Sequence, residues 1–117
     1  MLSRRVKIVE SEIAGPYNIL DLAEGESIEV EVAGYAVGRS VREITDAFGI
    51  RRIEAPIMRI HLPPGKTVLG APYLDILAGR TIATVKAFVD HFKTPLKLKF
   101  TAHGKEPAKW YEVEVVK

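Results

Sequence analysis

The chain has 117 residues, a length typical of one domain, and its 47% hydrophobic and 27% charged residues are typical of a globular protein. It contains no cysteine, which excludes disulfides, thiol nucleophiles and cysteine-ligated zinc. No apolar run approaches the roughly 20 residues needed to cross a bilayer, and the segment after Met1–Arg5 lacks the apolar core of a signal peptide. We therefore expect one cytoplasmic domain over residues 1–117, with no membrane partner.

Charge is unevenly distributed along the chain. Residues 1–50 carry five Lys/Arg and nine Asp/Glu, a balance of −4, whereas residues 51–117 carry twelve and six, a balance of +6. Such asymmetry allows a basic face for an anionic partner. The chain also lacks glutamine and has a single asparagine, Asn18, alongside many charged residues. Depletion of thermolabile residues is typical of hyperthermophile proteins, so we expect a hot-adapted source.

Two early strands are predicted from the alternation of apolar and charged residues. Val6 and Ile8 alternate with basic residues, and residues 27–32 place three apolar side chains on one face. Between them, residues 11–25 contain a Gly15-Pro16 turn and no pattern that separates strand from loop. The first quarter of the chain therefore predicts two short strands joined by an irregular segment.

A first helix is predicted over residues 40–48. Ser40 and Glu43 have the spacing of a capping box, in which each side chain satisfies a backbone N–H group at the helix start. Apolar residues then recur at helical spacing as far as Phe48. Gly49, followed by an apolar residue, is typical of a Schellman helix stop.

A strand and a long loop should follow this helix. Met58, Ile60 and Leu62 alternate with polar residues, which predicts a strand with these three side chains facing inward. The loop then runs from residue 63 to residue 71. It contains Gly65-Lys66-Thr67, a fragment of a phosphate-binding loop that lacks the upstream glycine, so a plain turn is the favoured interpretation.

A second helix is predicted from Pro72, a favourable first helical residue, to Phe92. One continuous apolar stripe supports it, residues 81–92 are its best-supported part, and Pro95 prevents its continuation. Either Gly79 is a kink within this helix, or Tyr73–Leu77 is a separate short element. The sequence leaves both interpretations open.

The C-terminal segment predicts a β-hairpin. Alternating strands over residues 96–101 and 109–116 flank a turn at Gly104–Pro107. In the register that places Lys99 opposite Glu112, every charged residue faces an opposite charge and every apolar residue faces another. That agreement favours this register.

These elements predict an α+β fold. We expect a single domain with an antiparallel or mixed sheet of four to five strands, two helices covering one face, and the C-terminal β-hairpin. From Ser27 onward the order strand-helix-strand-helix-strand-strand resembles that of the Alba family of archaeal chromatin and RNA-binding proteins, although the first helix is short for that family. The resemblance implies binding of nucleic acid.

The leading functional hypothesis is a small, non-catalytic nucleic-acid-binding protein of a thermophilic archaeon, which binds single-stranded DNA or RNA or is of the chromatin type. A stacking ring beside cations is suited to single strands. The sequence shows no nucleophile paired with a base and no histidine pair at metal-binding spacing, so we expect no catalytic residue, cofactor or metal. The candidate nucleic-acid-binding residues are Arg39, Arg42, Arg51, Arg52, Lys97, Lys99 and Trp110.

Three alternatives remain open. The charged residues could form an ion-paired surface kept for heat resistance, since the predicted register neutralises Lys97 and Lys99. The chain could be a structural or assembly module that forms a homo-oligomer or a protein complex. It could also bind a small ligand or act as an enzyme through the 63–71 loop, with Lys66 and Thr67 as the loop candidates.

Overall fold

The structure is a computed structural model and describes residues 5–106 and 108–117. The N-terminal residues 1–4, and Pro107 at the end of the predicted hairpin turn, lie outside the described residues. The described elements, in chain order, are β1 (Arg5–Ser11), β2 (Ser27–Val32), β3 (Gly34–Asp46), β4 (Gly49–His61), β5 (Tyr73–Ile76), α1 (Gly79–Phe92), β6 (Leu96–His103) and β7 (Trp110–Val115).

The described strands form two antiparallel sheets. One has the order β1-β3-β4-β5 and the other the order β2-β6-β7. Strand makes up 54% and helix only 12% of the described residues, which contain a single helix. The prediction of an α+β fold with two helices covering one sheet face is therefore wrong, and the fold is mostly β.

The predicted first helix is instead part of a long β-hairpin. Strands β3 and β4 pair from Gly34 with His61 to Asp46 with Gly49, and a two-residue loop joins them. Gly49 closes this turn at φ 122°, a conformation that favours glycine, so the residue interpreted as a helix stop is a hairpin residue. Phe48, expected on the apolar helix stripe, is 96% exposed. The element order that resembles the Alba family is therefore not present, because a hairpin replaces its first helix.

Pairing on both sides explains why this segment is a strand. β1 lies along the other edge of β3, from Arg5 opposite Thr45 to Ser11 opposite Ser40, with a bulge near Ile8. A helix satisfies its backbone groups internally, whereas these groups of β3 are satisfied by two neighbouring strands, β4, which follows it directly, and β1, which is distant in the sequence. The β-branched residues of the segment also favour a pleated conformation.

The predicted second helix is shorter than its apolar stripe. The helix α1 begins at Gly79, and Tyr73–Ile76 forms the separate strand β5 against β4. The alternative with a short separate element is therefore correct, and residues 81–92 are helical as predicted. Asp75, expected in the first helical turn, is fully buried in β5.

The C-terminal hairpin is confirmed, but its predicted register is wrong by two residues. Lys99 lies opposite Glu114, and Thr101 lies opposite Glu112. A shift of two residues leaves each side chain on its predicted face, so the buried residues remain buried. The pairing of charges does not distinguish these registers, because both Glu112 and Glu114 can face a polar partner.

The core lies where the two sheets and the helix meet. It takes alternate residues of β6, the inward residues of β2, β4 and β5, and one face of α1. The largest fully buried side chain is Phe100. Among the fully buried side chains of this core are Val30, Val32, Met58, Ile60, Leu74, Val85, Leu98 and Phe100.

Candidate functional site

The most distinctive surface feature is the end of the β3–β4 hairpin, residues 40–55, which we call the arm. β5 pairs with β4 only over Met58–His61, so no described strand lies beside the arm on that edge. β1 supports its other edge. The arm is therefore a three-stranded extension of the first sheet, and the protein measures 43 × 30 × 26 Å along its principal axes.

The tip of the arm is apolar and exposed to solvent. Phe48 is 96% exposed and Ile50 is 68% exposed. Full burial of one such side chain stabilises a protein by roughly 1.5–3 kcal/mol, so each of these two side chains forgoes a stabilisation of that size by remaining in water. Hairpin turns usually carry small or polar residues. A phenylalanine at this position adds nothing to the stability of the described chain.

A groove of about 560 Å³ lies between the inner face of the arm and the rest of the protein. Val6 and Ile44, which are paired across β1 and β3, form its floor together with Ile53 of β4. Residues at the end of β5 and in the segment before β2 form the facing wall. The groove is lined by Val6, Ile19, Leu20, Asp21, Arg42, Ile44, Ile53, Ile76, Leu77, Ala78, Glu106, Lys109 and Tyr111.

Arg42 connects the arm to the end of β5 beneath this groove. It is only 7% exposed. Its Nη1 donates a hydrogen bond to the carbonyl of Leu77 at 2.8 Å, and its Nη2 contacts the carbonyl of Pro56. Its Nε donates to Oγ of Ser40 at 3.1 Å. Hydrogen bonds from a charged donor are among the stronger ones, so Arg42 fixes the angle of the arm.

The rim of the groove is charged. Lys109 donates a hydrogen bond from Nζ to Oδ1 of Asp21 at 2.6 Å. The Asp21 side chain is nevertheless 80% exposed. Burial by itself lowers the pKa of Lys109, but its hydrogen bonds to Asp21 and Tyr111 outweigh this and raise the pKa above the usual value. Lys109 therefore stays charged beside an accessible carboxylate.

The predicted nucleic-acid-binding arginines all lie on the β3–β4 hairpin, three of them on the arm and Arg39 just before it, but each exposed one faces a carboxylate. Arg39 is 2.5 Å from Glu54. The Arg51 side chain, 60% exposed, is 3.8 Å from Asp46, and the Arg52 side chain, 68% exposed, is 3.6 Å from its cross-strand neighbour Glu43. Arg42, the fourth, is buried. The arm therefore presents mixed charge in place of a basic stripe.

The remaining predicted residues lie on the second sheet. Lys99 is flanked by Glu29 on β2 and by Glu114 on β7, and Lys97 lies opposite Glu31. Each predicted lysine therefore has a carboxylate across the strand pair. The structure does not bring these lysines into one basic patch with the arginines, because the two groups belong to different sheets.

Trp110 is the one predicted residue with the geometry of a binding surface. It is 54% exposed, and its ring stacks on His103 with centroids 4.6 Å apart and planes 25° apart. His103 Nε2 is in turn 2.8 Å from a carboxylate oxygen of Glu112. One face of the indole is thus held by the histidine, which orients the ring at the sheet surface.

The loop candidates Lys66 and Thr67 lie in an exposed turn. The backbone N–H of Lys66 donates to the carbonyl of Pro63 at 3.1 Å, and Gly65 has φ 82°. The Lys66 Nζ is 3.7 Å from a carboxylate oxygen of Glu31. The groove that the structure forms elsewhere does not include either residue.

Sequence reasoning missed the groove and the arm. The signal that could have found the arm is the presence of β-branched residues on both sides of Ala47-Phe48, together with the glycine that follows this pair. Over residues 5–106 and 108–117, no group of three or more His, Asp or Glu side chains is arranged to hold a metal ion. The helix α1 in the same residues is not long and apolar enough to cross a bilayer.

Comparison with known protein families, with curated proteins and with solved structures gave no match. The arm, the groove and the Trp110 stack are therefore the features that bear on function.

Proposed function

We propose that this protein is an assembly module that forms a homo-oligomer through the apolar end of its arm. The observation that carries the proposal is the 96% exposure of Phe48 at the tip of a supported β-hairpin. An aromatic side chain presented in this way is an anchor for an interface, since aromatic residues buried at interface centres supply much of the binding energy.

The surroundings of Phe48 support the same proposal. Phe48 is not an isolated exposed apolar residue, because Ile50 beside the tip is 68% exposed and Ile53, which lines the groove, is 37% exposed. The arm is held at its base by Arg42 and along its edge by β1. A rigid arm loses little conformational entropy on binding, which favours association.

The proposal is tested by measuring the mass of the purified protein across the micromolar range. We expect the wild type to sediment at a multiple of the 13.0 kDa chain and the variant Phe48→Asp to sediment as a single chain. Leu69→Asp is the matched control, because Leu69 is 55% exposed on a loop outside the arm. A single-chain mass for the wild type over the whole range would refute the proposal.

A second candidate function is the binding of single-stranded nucleic acid at Trp110. The observation that favours it is the stacked and half-exposed indole, since each base that stacks on an aromatic ring contributes roughly 1–3 kcal/mol. The carboxylates that face Lys97 and Lys99 weaken this candidate, because they neutralise the cations that would attract phosphate.

Trp110 is the only tryptophan, so its fluorescence reports directly on this second candidate. Titration with single-stranded DNA, duplex DNA and RNA at two salt concentrations should quench the emission, less strongly at the higher salt. Trp110→Leu is unsuited to this readout, so a labelled oligonucleotide and fluorescence anisotropy would serve for that variant. A flat signal in all three titrations, with unchanged anisotropy, would exclude binding at this ring.

A further inference from the structure

We propose that the groove of each copy receives the arm tip of a second copy, so that two chains exchange their Phe48 side chains around a two-fold axis. This inference rests on the proposed function and specifies where the arm binds. The occupant is a second copy of this chain, and the anchor is Phe48 against the wall that Leu77 and Ala78 form.

The groove is large enough for this occupant. Its volume is about 560 Å³, whereas an apolar cavity of about 150 Å³ accommodates benzene. The phenyl ring of Phe48 therefore fits with room for a second apolar side chain such as Ile50. The lining matches this chemistry, because most of its side chains are aliphatic and its polar groups lie at the rim.

The exposed apolar residues of the chain concentrate on the two surfaces that would meet. Among the described residues nine large hydrophobic side chains are exposed, and five of them lie on the arm or in the groove. These five are Val6, Ile19, Phe48, Ile50 and Ile53. One interface between two copies would cover all five, whereas insertion into an unrelated protein would leave the groove residues in water.

Charge at the two surfaces is complementary. The arm carries Arg51 and Arg52 beside its tip, and their contacts to carboxylates of the arm are long, at 3.8 and 3.6 Å. The groove rim carries Asp21, whose side chain is 80% exposed although it accepts a hydrogen bond from Lys109. An arm that enters the groove of a second copy brings guanidinium groups towards this carboxylate, which would favour docking in this orientation.

The groove cannot be filled by the arm of its own chain. The floor of the groove is the inner face of the arm itself. β3 and β4 pair continuously, from Gly34 opposite His61 to Asp46 opposite Gly49, and this pairing keeps the tip at the far end of the hairpin. A two-fold arrangement solves this geometry, since each chain then supplies one tip and one groove and the interface closes.

Engineered disulfides test the inference directly, because the natural chain contains no cysteine. Ala47→Cys places a thiol beside Phe48 at the tip, and Ala78→Cys places one at the exposed wall of the groove. Mixing the two variants under mild oxidation should give a covalent two-chain product. Lys86→Cys, on the exposed face of α1, replaces Ala78→Cys in the control mixture and should give little product.

The outcomes separate this inference from the proposed function. We expect the tip to cross-link to the groove. When the tip variant also carries Phe48→Asp, the yield of the cross-linked product should fall at least tenfold. An oligomer that depends on Phe48 but cross-links only between two Ala47→Cys tips would overturn the groove assignment and leave the proposed function standing. A wild type that is monomeric throughout would overturn both.

Discussion

The buried ion pair between Arg59 and Asp75 gives the sharpest test of how the first sheet is held together. Asp75 is fully buried, and its carboxylate accepts hydrogen bonds from Arg59 Nε at 2.7 Å and Nη2 at 3.0 Å. It also accepts one from the backbone N–H of Asn18 at 2.9 Å. The Arg59 guanidinium lies 4.0 Å from the centre of the Tyr73 ring. The pair therefore ties β4, β5 and the irregular segment before β2 together.

We predict that Arg59→Met destabilises the protein by about 3–5 kcal/mol, because it leaves the Asp75 charge buried without its partner. At roughly 4 °C per kcal/mol for a chain of this size, the melting temperature should fall by about 12–20 °C. The double variant Arg59→Met/Asp75→Asn should recover much of this loss. The amide is neutral and still accepts the hydrogen bond from Asn18.

Equilibrium unfolding in urea, followed by circular dichroism and by Trp110 fluorescence, measures these differences. Arg39→Met is the matched control, since Arg39 pairs with Glu54 at the surface, where both side chains are more than half exposed. An exposed pair contributes about 0–1 kcal/mol. A loss below 1 kcal/mol for Arg59→Met, or a double variant less stable than the single one, would refute the assignment of Asp75 as a buried carboxylate that depends on Arg59.

Two further predictions concern the arm and the helix. Gly49→Ala should cost about 1–3 kcal/mol because a side chain at φ 122° is strained, whereas Gly34→Ala, with nothing within 4 Å of the added carbon, should cost little in the same unfolding assay. Equal losses of stability in the two variants would contradict the claim that the hairpin turn requires glycine at position 49. The pKa of Tyr35 is raised chiefly by burial and also by its hydrogen bond to Asp90. The phenol therefore ionises in the unfolded chain, near pH 10, before it does so in the folded protein. Stability should fall as the pH rises above about 10, and less steeply in Tyr35→Phe; parallel pH profiles would contradict this.

Several elements could be predicted because their signals are local. Apolar and polar residues alternate in β2 and in the C-terminal hairpin, and an apolar stripe runs over residues 81–92. Each of these patterns depends only on which side chains must leave water. The two-residue error in the hairpin register has a simple cause. A shift of two preserves both faces, so burial does not distinguish the alternatives, and turn geometry decides between them.

The arm shows where local signals conflict. Ser40 and Glu43 fit a capping box, and Gly49 fits a helix stop, yet the same glycine also fits a hairpin turn. The segment is a strand because β1 and β4 satisfy the backbone hydrogen bonds of β3 on both edges. A sequence window around residues 40–48 does not include β1, because this partner lies about 30 residues or more earlier in the chain.

The candidate site shows the same division. Sequence identified the charged and aromatic residues that can bind a partner, but it could not say that Arg39 faces Glu54 or that Arg42 is buried beneath a groove. These contacts join residues far apart in the sequence.

By itself, the sequence determined which residues are apolar, where the chain alternates and where it can turn, because burial and backbone sterics act over a few residues. Only the tertiary structure decided which strands pair, which charges are neutralised and that Phe48 remains in water. Those outcomes depend on contacts between segments such as β1 and β3, or Arg42 and Leu77, which no local sequence pattern specifies.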